Sequence, residues 1–343
     1  MLVFERDMAI DMGTSETLVY AQDTGMVLRE PTVVAVDKFS GEMLKTGQEA
    51  EKMLGRTPAN IVAIHPIQSG VINDYDMTAQ MLREYINRNT SFSLFKPRVL
   101  MCVPSSISGV EERAICDAVI EAGARKVYLL ETAVATAMGA GIDISLPDGH
   151  MVIDIGSGTT EVAVVSMGGV VECESIKTAG DAFDESIIRY VRKKYNLIIG
   201  QRTAEELKCG IGCVMKRPTD LVDEIKGRDV VTGLPKMVKI HSSELLEVFR
   251  EPVVSIMEAV HNTLERTPPE LVGDLTANGI VMSGGGSLLF GLDQLIERST
   301  GIRTVVVDDA VSCAAYGAGK MLKQLNDMPE GMVNFARKRQ LKK

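Results

Sequence analysis

The sequence predicts an α/β fold in two lobes with a cleft between them. Three observations carry that expectation. Met151–Val165 reads as strand, tight turn and strand: an apolar run up to Asp154, then Gly156-Ser157-Gly158-Thr159-Thr160, then the apolar run Val162–Val165. The pattern has a copy near the start of the chain, where Ile10, Asp11, Gly13, Thr17 and Val19 recur as Ile153, Asp154, Gly156, Thr160 and Val162. A third glycine-rich turn, Gly284-Gly285-Gly286-Ser287-Leu288, follows the strand-like run Gly279–Ser283. Small residues, hydroxyls and free backbone N–H groups at such turns are means of holding a phosphate chain. An aspartate at the mouth of the turn can hold Mg²⁺ through its water shell. One such hairpin is equally an ordinary glycine-rich turn. Two Asp-led copies that can face each other, with a third loop, point to a cleft gripping one nucleotide.

The bulk of the chain fits this. Its 343 residues suffice for two domains with buried cores, and 45% hydrophobic with 24% charged residues is the composition of a globular chain. The net charge of −9 argues against nucleic acid as a partner. No uncharged apolar run approaches the roughly 18 residues of a membrane span, and Glu5, Arg6 and Asp7 stand where a signal peptide needs its apolar core. Six irregularly spaced cysteines suggest reduced thiols in a cytoplasm, with Cys209 and Cys213 read as buried thiols rather than zinc ligands.

Taken in order, Thr17–Gln22 continues the first hairpin and Asp23-Thr24-Gly25 turns it. Met26–Val36 is a strand region broken by Pro31, Asp37–Lys45 holds a polar turn, and Gln48–Leu54 is a helix ended by Gly55. The stretch from about Pro31 to Tyr75 reads as a small subdomain. A helix from Asp76 or Thr78 to Ile86 sets Met77, Met81, Leu82 and Tyr85 on one face. Asn89–Pro97 is a polar loop carrying Phe92, Leu94 and Phe95, ahead of a strand at Arg98–Val103. Its apolar groups either tuck back onto the domain, which the residues alone favour, or enter a lipid surface beside Lys96 and Arg98. Ser108 and Glu111 make a capping box for a helix to Ala122, with Ala114, Ile115, Ala118 and Val119 inward and Gly123 closing it. Val127–Leu130 is a strand. Glu131–Ala140 is a helix of small residues whose first turn points into the cleft, where a polar side chain can orient water on a γ-phosphate.

Past the central hairpin, Val170–Lys177 is a strand and Phe183–Lys194 a helix introduced by Gly180-Asp181. Arg202–Lys208 is a second helix, whose charges read first as a solvated face. Lys216–Lys239 reads as strands and loops of a second small subdomain. Ser243–Leu264 is an amphipathic helix kinked or split by Pro252 and stopped by Thr267-Pro268-Pro269. Leu288–Arg298 is helix, Thr304–Val307 strand and Ala314–Leu325 a last helix. Its Gly317-Ala318-Gly319-Lys320 is no P-loop, because Ala314 stands where the first glycine is needed.

The stretches IDMGTSETLVY, NLIIGQRTAEELK, VIDIGSGTTEVAVVS, TPPELVGDL and MSGGGSLLFGLDQL together resemble the actin, heat-shock-chaperone and sugar-kinase superfamily and, within it, the MreB family of bacterial actins of cell shape. The resemblance covers essentially the whole chain. It implies an actin-like ATPase fold: two RNase-H-like lobes with small inserted subdomains and a nucleotide cleft between them. The first lobe would span 1–143, with an insert at about 31–75, and be completed by a C-terminal helix at about 312–343. The second would span 144–311, with an insert at about 184–250.

The resemblance also implies ATP and Mg²⁺ in the cleft. By position, Thr14, Ser15 and Glu16 form the first phosphate loop, and Ser157, Gly158 and Thr159 the second. Glu205, Glu206, Leu207 and Lys208 match the ribose and adenine contacts, and Gly285, Gly286, Ser287 and Leu288 the third nucleotide loop. Asp11 and Asp154 match the metal-side aspartates, acting through water. The loop with Leu94 and Phe95 matches the membrane-inserting loop, which reverses the reading from residues alone. The family is cytoplasmic and peripheral at the inner face of the cell membrane. It assembles with itself into filaments and organises side-wall synthesis with cell-wall elongation proteins; MreB paralogues are further candidate partners.

Three departures from the family pattern matter. The first loop usually reads GTANT; here it is GTSET, so Glu16 brings negative charge to the phosphates, to be offset by Mg²⁺ or a lysine. The second usually reads DIGGGTT, and Ser157 replaces a glycine. The helix start usually reads EEP, its second glutamate polarising the attacking water; here it is Glu131-Thr132-Ala133. Glu131, Thr132 and Thr159 are the candidates at the reacting end, and Thr132 is no carboxylate base. Two function classes follow: a filament-forming ATPase, and a nucleotide-binding filament or scaffold subunit with weak or no hydrolysis.

Overall fold

The computed structural model of the chain describes residues 7–90 and 95–327. The chain builds one sheet pattern twice. β1 (Met8–Met12), β2 (Glu16–Ala21) and β3 (Gly25–Pro31) form an antiparallel meander. Next, β4 (Val34–Asp37), β5 (Met43–Thr46), α1 (Gln48–Glu51) and β6 (Ile61–Ile64) make a separate small unit with strand order β5-β4-β6. Met43–Thr46 is thus a strand where the sequence suggested a polar turn, because Thr46 turns inward and donates its hydroxyl to Tyr85 Oη at 2.9 Å. The helix expected to run to Leu54 is one turn long. Beyond it Met53 and Leu54 bond to carbonyls three residues back, a tighter winding that does not propagate.

β7 (Ile67–Gln68) and β8 (Val71–Ile72) form a hairpin turning at Ser69-Gly70. α2 (Tyr75–Thr90), β9 (Arg98–Val103), α3 (Gly109–Glu121) and β10 (Lys126–Glu131) follow. β9 and β10 join parallel to β1, with α3 as their crossover, giving the order β10-β9-β1-β2-β3. Ser108 and Glu111 do form the reciprocal cap of α3.

α4 (Thr132–Gly139) leads across to the second sheet. β11 (His150–Ile155), β12 (Thr160–Ser166) and β13 (Gly169–Ile176) repeat the meander. α5 (Gly180–Tyr195), β14 (Leu197–Ile198), α6 (Gln201–Ile211), β15 (Val222–Asp229) and β16 (Pro235–His241) include a second small sheet, β14-β15-β16. α7 (Ser242–Val248) and α8 (Arg250–Arg266) are the expected long helix, split at Phe249 so that Pro252 falls in the first turn of α8, where a missing N–H costs little. α9 (Pro269–Asn278) was not expected. Its first residue is the proline that ends α8, placed where the ring's fixed φ suits a helix start. β17 (Ile280–Ser283), α10 (Leu292–Thr300), β18 (Thr304–Val306) and α11 (Cys313–Met321) follow, and a 3₁₀ segment, Leu322–Asp327, ends the described chain where the sequence predicts helix to Leu325. α10 begins four residues later than expected, because Gly285–Leu288 winds as a 3₁₀ turn. The second sheet runs β13-β12-β11-β17-β18, with β17 and β18 parallel to β11. Strand for strand, this is the pattern of the first.

Period-two alternation sorts the side chains into three cores. Met8 and Ile10 of β1 face α2 and α3; Ile153, Val162 and Val164 face the α5–α8 side. The opposite faces, which carry Ala9, Leu100, Val152, Ala163 and Val165, close on α4 and α11 in a core shared by both sheets. α4 and α11 touch backbone to backbone: a Cβ on Gly317 would lie 1.8 Å from Ala135 O, and one on Gly139 2.0 Å from Cys313 O. Among the described residues, no helix is long and apolar enough to cross a membrane.

Candidate functional site

The two Asp-led turns close in the same way. Gly13 N donates to Glu16 O at 2.9 Å, and Gly156 N donates to Thr159 O at 2.9 Å. Each turn is braced from outside. Thr32 donates its N–H to Ser15 O and its hydroxyl to Gly13 O, both at 2.8 Å. The first residues of α5 back the second turn, with Gly180 N to Gly156 O at 3.1 Å and Asp181 N to Ser157 O at 2.8 Å. The α5 N-terminus therefore adds its partial positive charge behind Ser157.

The turns face each other at contact distance. A Cβ on Gly158 would stand 2.4 Å from Thr14 Oγ1 and 2.9 Å from Ser69 Cα, so only glycine fits between them. Gly70 N also donates to Thr14 Oγ1 at 3.2 Å, which brings the β7–β8 hairpin into the same junction. A cleft of about 330 Å³ opens here, lined by Thr14, Ser15 and Gly158 together with Ser69, Lys177 and Asp181.

Asp11 and Asp154 sit at the ends of β1 and β11, on the faces that look into the shared core. Burial and then the charge of Asp154 push Asp11 up to about 7. Burial pushes Asp154 up to about 6, against a lowering hydrogen bond from Ser283. Two carboxylates near enough for the charge of one to raise the other suit a hard divalent ion. No group of three or more ligating side chains exists among the described residues. That set fits Mg²⁺, which keeps most of its water and takes one or two carboxylates plus phosphate oxygens.

The other site residues divide. Lys208 lies against the second turn, its Nζ 3.1 Å from Gly180 O and 2.9 Å from Asp184 Oδ2. Burial pushes Asp184 up to about 7 even beside that ammonium. Glu205 shares this neighbourhood and is exposed. Glu206 and Leu207 are set apart by the helical period. Glu206 is exposed and paired with Arg202 at 2.9 Å, while Leu207 is fully buried in the core with Ala204 and Ile211, so its side chain is not available to a ligand. In the third loop, Ser287 is buried and spends its hydroxyl on Gly284 O at 2.6 Å, whereas Gly285 and Leu288 are exposed. A Cβ on Gly286 would lie 2.4 Å from Ile155 Cγ2, so this loop packs directly over the end of β11.

The charge that Glu16 brings is offset by an arginine. Arg29 on β3 reaches it with Nε at 3.2 Å and Nη2 at 3.2 Å. At the reacting end, Glu131 is buried and ends β10, Thr132 is the half-buried first residue of α4, and Thr159 is half-buried at the foot of β12. Sequence reasoning missed Glu161, a buried carboxylate one residue into β12 whose two oxygens accept from the N–H (3.1 Å) and the hydroxyl of Ser105. Of the proposed membrane loop, Leu94 lies outside the described residues and Phe95 is 58% exposed. Arg98 is not available to lipid: it forms a buried ion pair with Asp7, Nε to Oδ1 at 3.0 Å. Cys209, expected buried, is exposed on α6.

The MreB/Mbl protein family matches residues 5–330. The chain belongs to the MreB/Mbl family. The cell shape-determining protein Mbl of Bacillus subtilis is 45% identical over 329 residues, 96% of this chain and 99% of Mbl. A solved structure of MreB5 of Spiroplasma citri bound to ADP is 36% identical, with a TM-score of 0.90 over 94% of this chain and 98% of that one. A MamK double helical filament is 20% identical, with a TM-score of 0.80 over 94% of this chain and 99% of that one, which shows a shared fold. This MreB/Mbl chain therefore has the actin-like α/β fold that the resemblance implied.

Proposed function

We propose that this MreB/Mbl chain binds ATP with Mg²⁺ in its cleft, assembles into filaments at the inner face of the cell membrane, and there organises side-wall synthesis that keeps a rod shape. The observation that carries the nucleotide reading is the pair of identically closed Asp-led turns meeting at Thr14 and Gly158. The similar MreB5 of Spiroplasma citri, solved bound to ADP, supports it. Residues 1–143 with 312–343 form one lobe on this reading, and 144–311 the other. The backbone N–H groups of Ser15, Ser157 and Gly158 hold phosphates, Lys208 and Glu205 the ribose side, and Leu288 offers an apolar face to the base. Bound Mg²⁺ would neutralise phosphate charge, with Asp11 and Asp154 orienting its water shell. Phe95, with Leu94, is the apolar tip for lipid, and the exposed Lys96 beside it suits anionic headgroups.

Turnover is slow on this reading. Thr132 starts α4 where a carboxylate is needed to polarise water, and Glu131, buried at the end of β10, stands one residue back. Nucleotide-dependent pelleting, alone and with anionic liposomes, with phosphate release followed in parallel, tests the whole. The expected result is ATP-dependent sedimentation, enhanced by liposomes, with little phosphate released. Sedimentation indifferent to nucleotide would overturn it.

A further inference from the structure

Glu161 is a buried carboxylate that the nucleotide contacts described above do not use. Its position in the register comes first: Glu161 pairs directly with Asp154 across β11 and β12, so both side chains leave the sheet on the same face. Along β12 that face continues as Ala163 and Val165, which pack in the core shared with α4. Glu161 therefore stands between the metal-side aspartate and the start of α4.

Its partners come second. Besides the Ser105 N–H and hydroxyl, Glu161 has a third and weaker partner in the backbone N–H of Ala133, the second residue of α4. The first turn of a helix has N–H groups with no partner inside the helix. The residue normally expected to cap them, Glu131, makes no side-chain cap bond here. The cap is supplied from β12 instead, by a carboxylate, the group best suited to the positive end of a helix. The third point is what the capped turn carries. Thr132 directly precedes Ala133, so the Ala133 N–H is one peptide unit from the group proposed to face attacking water.

We propose that Glu161 is a positioning residue: by holding the Ala133 N–H from β12 and Ser105 from the end of β9, it fixes where Thr132 stands relative to the second phosphate turn. Each of its oxygens accepts a hydrogen bond from Ser105, and its role is exerted through α4. The inference rests on the cleft being the ATP site, yet part of it can be read in nucleotide-free protein.

Hydrogen exchange of the 131–139 segment in nucleotide-free protein provides that part. Glu161→Ala leaves the Ala133 N–H without its acceptor, and exchange in the first turn of α4 should rise by about tenfold or more. Glu161→Gln keeps one carbonyl acceptor and should restore most of the protection. If Glu161→Ala does not fold, Glu161→Gln alone decides, through a rise of about threefold expected for a neutral acceptor in place of a charged one. Ser105→Ala, which leaves the Ala133 bond in place, should change α4 exchange less than either. Unchanged exchange in the Glu161 variants, or a larger effect from Ser105→Ala, would overturn the proposal.

The reaction is read separately, in protein carrying Thr132→Glu. Adding Glu161→Ala should lower phosphate release several-fold with ATP affinity held, and Glu161→Gln should recover it. Equal turnover with altered exchange would overturn the link to Thr132. Loss of ATP binding by the otherwise unaltered chain would instead refute the nucleotide reading, and would leave the exchange result standing.

Discussion

Replacing Thr132 by glutamate asks whether one side chain sets the pace of the cleft. Thr132 is the first residue of α4, half-buried, with Glu131 and Glu161 buried close by and Asp154 on the same sheet face as Glu161. A new carboxylate there gains about 0.3–1 kcal/mol from the helix N-terminus. It is opposed by its neighbours: like charges roughly 7 Å apart repel by about 2 kcal/mol at an effective dielectric of roughly 20. Without metal, repulsion wins, and Thr132→Glu should melt several degrees below the parent. With Mg²⁺ and ATP present, the added cation should restore most of that difference. Positioned acid–base help is worth about 10²–10⁴-fold in rate. Since threonine already offers an oxygen, a gain at the lower end is expected, several-fold to about tenfold or more, with ATP affinity little changed. Ala133 is kept, because a proline there would remove the N–H that Glu161 holds. The assay is phosphate release from sedimented filaments, with binding of a fluorescent ATP analogue alongside. Parent turnover already equal to that of an EEP-bearing relative would refute the reasoning. So would a restored glutamate that changes nothing, which would mark Glu131 as the working carboxylate.

Three further outcomes follow from described contacts. Arg29→Ala should weaken ATP binding several-fold by freeing Glu16 beside the phosphates, with little loss of stability because an exposed pair is worth about 0–1 kcal/mol; Glu16→Gln added to it should restore affinity, and additive losses would refute the coupling. Asp11 titrates higher folded than its ordinary 3.8, so the folded form binds more protons between pH 4 and about 7, and metal-free stability from this group is lost as pH rises through that window. Melting curves in chelator should therefore show Asp11→Asn gaining on the parent from pH 5 to pH 8, while Mg·ATP binding weakens; parallel curves would count against it. Leu94→Ser with Phe95→Ser should abolish liposome pelleting, since the pair can contribute about 3–6 kcal/mol per subunit if fully inserted. Arg98→Gln should instead cost about 3–5 kcal/mol of stability by stranding Asp7, with pelleting of the folded protein unchanged.

Much of this architecture is legible in the chain because it is local. The two hairpins announce themselves through Asp-x-Gly turns between apolar runs, and the α3 cap through Ser108 and Glu111 alone. What escaped reading depended on partners distant in sequence. Glu161 looks like a charge alternating out of a strand; it is buried because β12 is sandwiched between helix layers, which only the full sheet order reveals. The offset of Glu16 by Arg29 needs the β2–β3 register. Leu207 was readable, since Ala204, Leu207 and Ile211 fall on one helical stripe, but the matched motif drew the four residues together as one contact set. Pro268-Pro269 was read only as a stop, although proline serves equally to begin a helix.

The contact of α11 with α4 also dictates an order of events during synthesis. The core shared by the two sheets is built from Ala9, Leu100 and Tyr128 on one side and Ala314, Ala318, Met321 and Leu325 on the other. A growing chain therefore completes β1 to β10 long before the helix that covers their inner face leaves the ribosome. The strands of the second sheet, between His150 and Val306, finish pairing only just before α11 appears. Until the last segment arrives, the first sheet presents an apolar surface to its surroundings, the kind of nascent intermediate that aggregates or engages chaperones. Yield from the ribosome should thus depend on α11 far more than its nine residues suggest.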